Sequence, residues 1–182
     1  MTKNDILKQH TTIMCKRIKL RPFHLEDAEG VYSYASDKKT VEFLTFPIHQ
    51  DISQSEKVIK EFFLGKEGVY AIELISEKKL IGCIDLRLQE EHNKASFGYV
   101  INRNYWGQGY ATEALNAILG LCFKTLKLGR VESTHYIGNE GSGRVMQKCG
   151  MKLEGIGLEE LVIKGVTYDV AHYAVLRKYW TF

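Results

Sequence analysis

Between Phe97 and Leu115 the chain passes from a strand through a tight glycine turn into a long helix, and no other stretch restricts the possible folds so far. Apolar Phe97 to Ile101 gives way to Gly107-Gln108-Gly109, then to helix-favouring Ala111, Glu113, Ala114 and Leu115. Glycine at such a turn lets backbone N–H groups approach an anion, and the helix's first turn adds unpaired donors and the positive end of its dipole. The order therefore points to a phosphorylated ligand. A purely steric use of glycine at a strand–helix junction is the other reading. A dinucleotide fingerprint fails, because its third glycine or alanine position is Thr112 and Ala111 comes one place too early. A Walker loop fails too, since no Gly-Lys-Ser/Thr follows at the right distance.

The rest of the chain reads in order around that junction. Residues 1–12 are polar and unpatterned, which predicts a loosely held arm. Ile18 and Leu20 alternate with Lys19 and Arg21, predicting a first strand over 14–23. Acidic residues crowded at 26–29 start a helix, and 41–47 is a short helix or bend ending at Pro47. A second helix, capped by Ser53 or Ser55, carries Val58, Ile59, Phe62 and Phe63 on one face. Strands follow at 69–75, 80–88 and 95–101, then the helix over 110–126, stopped at Gly129, and a strand over 130–137. Strand, crossover helix, strand forces 99–101 and 131–137 to run parallel. Asn139 to Ser142 opens a short helix over 143–149, and 153–163 with 166–176 forms a hairpin turning at Lys164-Gly165. No repeat or linker divides the chain, so 1–182 is read as a single domain of mixed α/β (α+β) type.

Charge and cysteine usage narrow the function classes. A formal net charge of +3 over 182 residues is too mild to indicate nucleic acid by itself. The four cysteines, Cys15, Cys83, Cys122 and Cys149, are too widely spaced for a disulfide framework or a zinc site, so no metal is expected. The absence of a signal-peptide pattern and of a long apolar run leads to the expectation of a cytoplasmic protein with no membrane partner.

Two separated motifs carry a family resemblance. The run Asn104-Tyr105-Trp106-Gly107-Gln108-Gly109-Tyr110-Ala111-Thr112-Glu113-Ala114 resembles the coenzyme A loop of the GNAT acetyltransferase superfamily, Q/R-x-x-G-x-G/A, with Asn104 departing from the usual Gln or Arg. It is similar to the branch of ribosomal-protein N-terminal acetyltransferases and spermidine acetyltransferases. Asn139 to Gly155 resembles the second cofactor segment, an Asn-x-x-Ser before a short helix ending in Gly-Phe, with Met151 in place of the phenylalanine. The order of elements matches that architecture over nearly the whole length. The resemblance implies a mostly antiparallel sheet of about seven strands, splayed at its parallel pair, with about four helices.

It also implies acetyl-CoA as cofactor, and it assigns roles to particular residues. Tyr99, Val100 and Ile101 would run along the pantetheine arm, with a backbone N–H near Val100 or Ile101 polarising the thioester. The amides of Gly107, Gln108, Gly109, Tyr110 and Ala111, preceded by Trp106 and followed by Thr112, would cradle the pyrophosphate. Asn139 would bond the arm from the opposite strand. Lys148 and Arg103 are candidates for the outer phosphates, against a solvated surface role for each. Ser142 is a candidate catalytic proton donor to the departing thiolate; a helix cap or a pantetheine contact is the alternative. Tyr136 and Tyr173 are back-up donors. Glu160 is the carboxylate nearest to where this branch keeps one for the acceptor, with Glu159 on the opposite face by alternation. Glu42, His135, Asp169 and His172 are further candidates for the base. The implied acceptor is a primary amine, either a protein N-terminus or a polyamine or other small amine. A non-catalytic acyl-CoA sensor is the competing class. A homodimer through an exposed strand edge or the final hairpin is a further expectation.

Overall fold

The computed structural model describes residues 2–181. Its sheet has eight strands: β1 (Ile13–Met14), β2 (Ile18–Arg21), β3 (Val69–Leu74), β4 (Lys79–Gln89), β5 (Lys94–Ile101), β6 (Arg130–Tyr136), β7 (Lys152–Ile163) and β8 (Val166–Leu176). They lie in the order β1-β2-β3-β4-β5-β6-β8-β7, antiparallel everywhere except between β5 and β6. Five α-helices accompany them: α1 (Lys3–Gln9), α2 (Ala28–Ala35), α3 (Ile52–Val58), α4 (Tyr110–Gly120) and α5 (Glu140–Lys148). The parallel pair is the one expected from the crossover through α4.

Both counts exceed the expectation by one, at the same end of the chain. The predicted first strand is a small hairpin, because the chain turns back at Cys15–Arg17 and Ile13 faces Leu20. The predicted arm contains α1, started by a capping box between Thr2 and Asp5. Leu7 is buried in the main core, and Lys3 and Asn4 bond to Asn93 and Glu90 beside β5. Two adjacent apolar residues in a seven-residue helix make too little periodicity to read; Met1 of the predicted arm lies outside the described residues.

Smaller differences have local causes. Asp51, not a serine, caps α3, its carboxylate accepting from the N–H groups of Ser53 and Gln54 at 2.9 and 3.3 Å. Both α3 and α4 run on into a π-helical turn, over Ile59–Phe63 and Leu121–Thr125. Lys127, at φ +54°, makes the left-handed exit after α4, ahead of Gly129.

Helices cover both faces of the sheet. On one face α4 and α5 press Ala114, Leu115, Ile118 and Met146 onto Ile72, Ile84, Phe97 and Tyr173. On the other, α2 and the end of α3 press Val31, Tyr34 and Ile59 onto Ala71, Cys83 and Val100. Val100 and its neighbours Tyr99 and Ile101 therefore face opposite layers, as the two-residue period of a strand requires.

Candidate active site

The parallel strands part company within three residues. Pairing joins Lys94 to Arg130, Ala95 to Val131 and Ser96 to Glu132, while β5 continues unpaired on that side to Ile101. At the point of divergence the Ser133 hydroxyl donates to the Phe97 carbonyl at 2.7 Å. Since the Phe97 carbonyl faces β6, the two-residue period turns the backbone groups of Tyr99 and Ile101 to the same side. Tyr99 thus presents an N–H and a C=O to the gap. The Ile101 carbonyl accepts from the Trp106 indole N–H at 2.6 Å, leaving its amide toward the opening. Between Val100 and Ile101, the alternation selects Ile101 as the amide facing the gap.

A cleft of about 330 Å³ occupies that opening. Its walls include Tyr99, Val100, Ile101, Trp106, Gly107, Gly109, Tyr110, Ala111 and Thr112 from one strand, loop and helix start, and Asn139, Ser142 and Lys148 from the other side. Most residues expected to touch the cofactor are thereby brought to one place; Gln108, whose side chain donates to the Asn104 carbonyl at 3.3 Å, and Arg103 do not line it. The loop's conformation depends on glycine. Gly107 has φ +73° and Gly109 φ +85°; a Cβ on Gly107 would meet nothing within 4 Å, and one on Gly109 only the Arg17 guanidinium at 3.4 Å. The space in front of these amides is open, which is what an anion resting on α4's N-terminus needs. Lys148 and Arg144 contribute positive charge to the walls.

Arg17 holds the loop from far away in sequence. Its guanidinium donates to the Gln108 carbonyl at 2.8 Å and to the Glu113 carboxylate at 2.8 Å, and stacks 4.5 Å above the Tyr110 ring. Burial pushes the Glu113 carboxyl up, but the backbone N–H and guanidinium of Arg17 outweigh it and hold the group below its ordinary range. Sequence reasoning missed Arg17 because nothing local links it to a loop some 90 residues on. Arg103, a candidate phosphate ligand, pairs with Asp37 at 3.0 Å instead.

Ser142 lies in the first turn of α5 behind Asn139, which occupies the cap position without a side-chain capping bond. The Ser142 hydroxyl is not spent on the helix either: it accepts from the Tyr99 hydroxyl at 3.2 Å. Tyr173 accepts from the Gln147 side chain at 3.1 Å, and Tyr136 packs on Tyr168 with ring centroids 5.4 Å apart.

The carboxylate candidates lie elsewhere. Glu160 does not line the cleft; its carboxylate meets His172 Nε2 at 2.7 Å. A bulge between Gly157 and Leu161 opposes extra β7 residues to β8, with Glu159 at φ +49° and its N–H donating to Asp169 at 2.8 Å. That breaks the alternation on which the placement of Glu159 and Glu160 relied. Glu42 pairs with Lys39 at 3.6 Å, and His135 is buried against Tyr173. Burial also pushes the thiols of Cys83, Cys122 and Cys149 up to about 12, so none is a ready nucleophile. Among the described residues no group of three or more His, Cys, Asp or Glu is placed to hold a metal, and no helix is long and apolar enough to cross a membrane.

On its far side the cleft is closed by the segment after α2. Lys39, Thr40, Phe43 and Leu44 line it there. Phe43 meets Tyr168 of β8 edge-on at 6.1 Å, and Lys164 at the hairpin tip donates to the Val41 carbonyl at 2.7 Å.

A split parallel pair, a glycine loop at a helix N-terminus and a cleft between them define a group-transfer fold, and comparison with known proteins says which. The model of the GNAT acetyltransferase domain matches residues 17–152. The uncharacterized N-acetyltransferase YnaD of Bacillus subtilis is 32% identical over 173 residues, covering 92% of this chain and 98% of that one. Among solved structures, a GNAT-family acetyltransferase from Bacillus anthracis superposes with a TM-score of 0.84 at 28% identity, over 92% of this chain and 99% of that one. The spermidine N-acetyltransferase of Vibrio cholerae, solved with CoA and spermine, gives 0.75 at 20% identity, over 90% and 97%. The chain belongs to the GNAT acetyltransferase family and is an acetyltransferase.

Proposed function

We propose that the protein moves an acetyl group from acetyl-CoA to the α-amine at a protein or peptide N-terminus, of the ribosomal-protein type, by direct attack of the amine. Acetyl-CoA supplies the acetyl group already activated as a thioester. The residues present fit it. The amides of Gly107, Gln108, Gly109, Tyr110 and Ala111, with Thr112, receive the diphosphate on an open, glycine-shaped surface. Lys148 and Arg144 face the outer phosphate, and Trp106 flanks the loop. Gap-facing groups of Tyr99 and Ile101 bond the pantetheine arm as a strand edge bonds a partner, with Val100 beside them and Asn139 opposite. Ser142 stands where the thiolate departs.

The acceptor is argued from one observation. Among the described residues lining the cleft there is no carboxylate and no imidazole. An amine that must lose a proton there does so without a strong base. At pH 7 an α-amine, with a pKa near 8, pays about 1 kcal/mol for this, and a lysine-like amine about 5. The likeness to the spermidine enzyme favours a polyamine as second reading, but on the acceptor side of the cleft Lys39 repels a polycation and no carboxylate draws one in. A cytoplasmic location, and a homodimer using the free edge of β7, belong to the same reading.

Release of CoA thiol across three acceptors at pH 7 tests it. A peptide with a free N-terminus should turn over, whereas its N-acetylated, lysine-containing counterpart and spermidine should react at least tenfold more slowly. Faster turnover with spermidine overturns the acceptor assignment, and CoA binding without turnover on any amine favours a sensor.

A further inference from the structure

We infer that the Tyr99 hydroxyl is a positioning group for acetyl transfer: it donates to Ser142 and so reserves the single Ser142 proton for the sulfur of the departing thiolate. This rests on the acetyl-CoA reading of the cleft.

The geometry joins the two hydroxyls. Tyr99 and Ser142 both line the cleft, and their oxygens are 3.2 Å apart. Phe97 stacks beside the Tyr99 ring with centroids 6.4 Å apart, and the ring packs against the core that includes Cys149, the residue just after α5. Burial is the main cause that pushes the Tyr99 hydroxyl up to about 12, so it keeps its proton at any working pH and has one to give to Ser142. A serine hydroxyl has one proton and two lone pairs. When Tyr99 occupies a lone pair, the proton is left to point elsewhere, and hydrogen bonds in series polarise one another. With Phe at position 99, the Ser142 proton is free to turn away from the cleft.

The step balances without ionising either hydroxyl. The amine nitrogen forms its bond to the carbonyl carbon, the C–S bond breaks, and the electron pair stays on sulfur. The Ser142 O–H, polarised by Tyr99, hydrogen-bonds that pair. The proton that neutralises the sulfur comes by way of solvent from the ammonium formed on the attacking nitrogen. Tyr99 ends as it began.

A binding measurement reads the pair without turnover. A site that donates to sulfur stabilises thiolate, so CoA should bind more tightly as pH rises toward the pKa of its alkyl thiol, which lies above the cysteine value of about 8.5. Acetyl-CoA has no thiol, and its affinity at each pH cancels the titration of the other groups around the site: Lys39, Tyr105, Tyr110, Arg144, Lys148 and Cys149. Calorimetric dissociation constants at about pH 7 and about pH 9.5 should give the wild type a roughly fivefold gain for CoA relative to acetyl-CoA. In Tyr99→Phe that gain should fall below about twofold. Turnover supplies the second arm: Tyr99→Phe should lower kcat about tenfold in the wild type but less than twofold on top of Ser142→Ala. An equal pH gain in wild type and Tyr99→Phe, or equal losses of kcat in both backgrounds, overturns the role of Tyr99 alone. Failure of the wild type to bind either CoA or acetyl-CoA overturns the reading of the cleft, and this inference with it.

Discussion

Gly109 caps α4 in a left-handed conformation that a β-branched residue enters only under strain, and a ligand resting on its amide needs the space a side chain would fill. Gly109→Val should therefore act on binding: strain of about 1–3 kcal/mol together with the lost approach predicts a roughly 100-fold higher Kd for acetyl-CoA by calorimetry. Ser142→Ala removes one hydroxyl from an otherwise intact wall, so Kd should stay within about twofold while kcat falls about 10²-fold. Comparable rises in Kd for the two variants would refute this division of labour. Both residues stand out in the sequence, one as loop glycine and one at a helix start. The Tyr99 partner of Ser142 does not, because the two are 43 residues apart and meet only through packing.

At the level of elements, what could be read was what is encoded locally or by a chain rule. The β5–loop–α4 junction follows from glycine and helix propensity over consecutive residues, and the parallel pairing of β5 with β6 follows from the crossover. The β7–β8 turn at Lys164 and Gly165, both at positive φ, was equally legible. What escaped depends on register or on distant contacts. The β7 bulge changes which residues share a face, and with it the place of Glu160. The tie from Arg17, just before β2, to Glu113 in α4 leaves no local pattern. That tie has an acid signature. The Glu113 carboxyl is held below its ordinary value in the folded chain, so its stabilisation is complete above the unfolded pKa of about 4.3 and is lost as pH falls through the lower folded value. Thermal unfolding from about pH 6 down to about pH 3 should thus cost the wild type more than Glu113→Gln. Identical pH profiles would remove the tie from the account of loop stability.

Across the whole molecule, two apolar layers hold the sheet while its centre stays divided. The larger layer packs under α4 and α5 and the smaller under α2 and α3, and the cleft between them draws residues from both sides. Lys39, Thr40, Phe43 and Leu44 reach it from the α2 side, whereas Ser142, Val145 and Lys148 reach it from α5. A cleft built in this way offers a donor and an acceptor different walls to lie against. On the proposed reading the two bind together, so a ternary complex is expected in place of an acyl-enzyme. Initial velocities measured against both reactants should give intersecting, not parallel, double-reciprocal lines, and a compound tethering the acceptor's amine to CoA should compete with each of them.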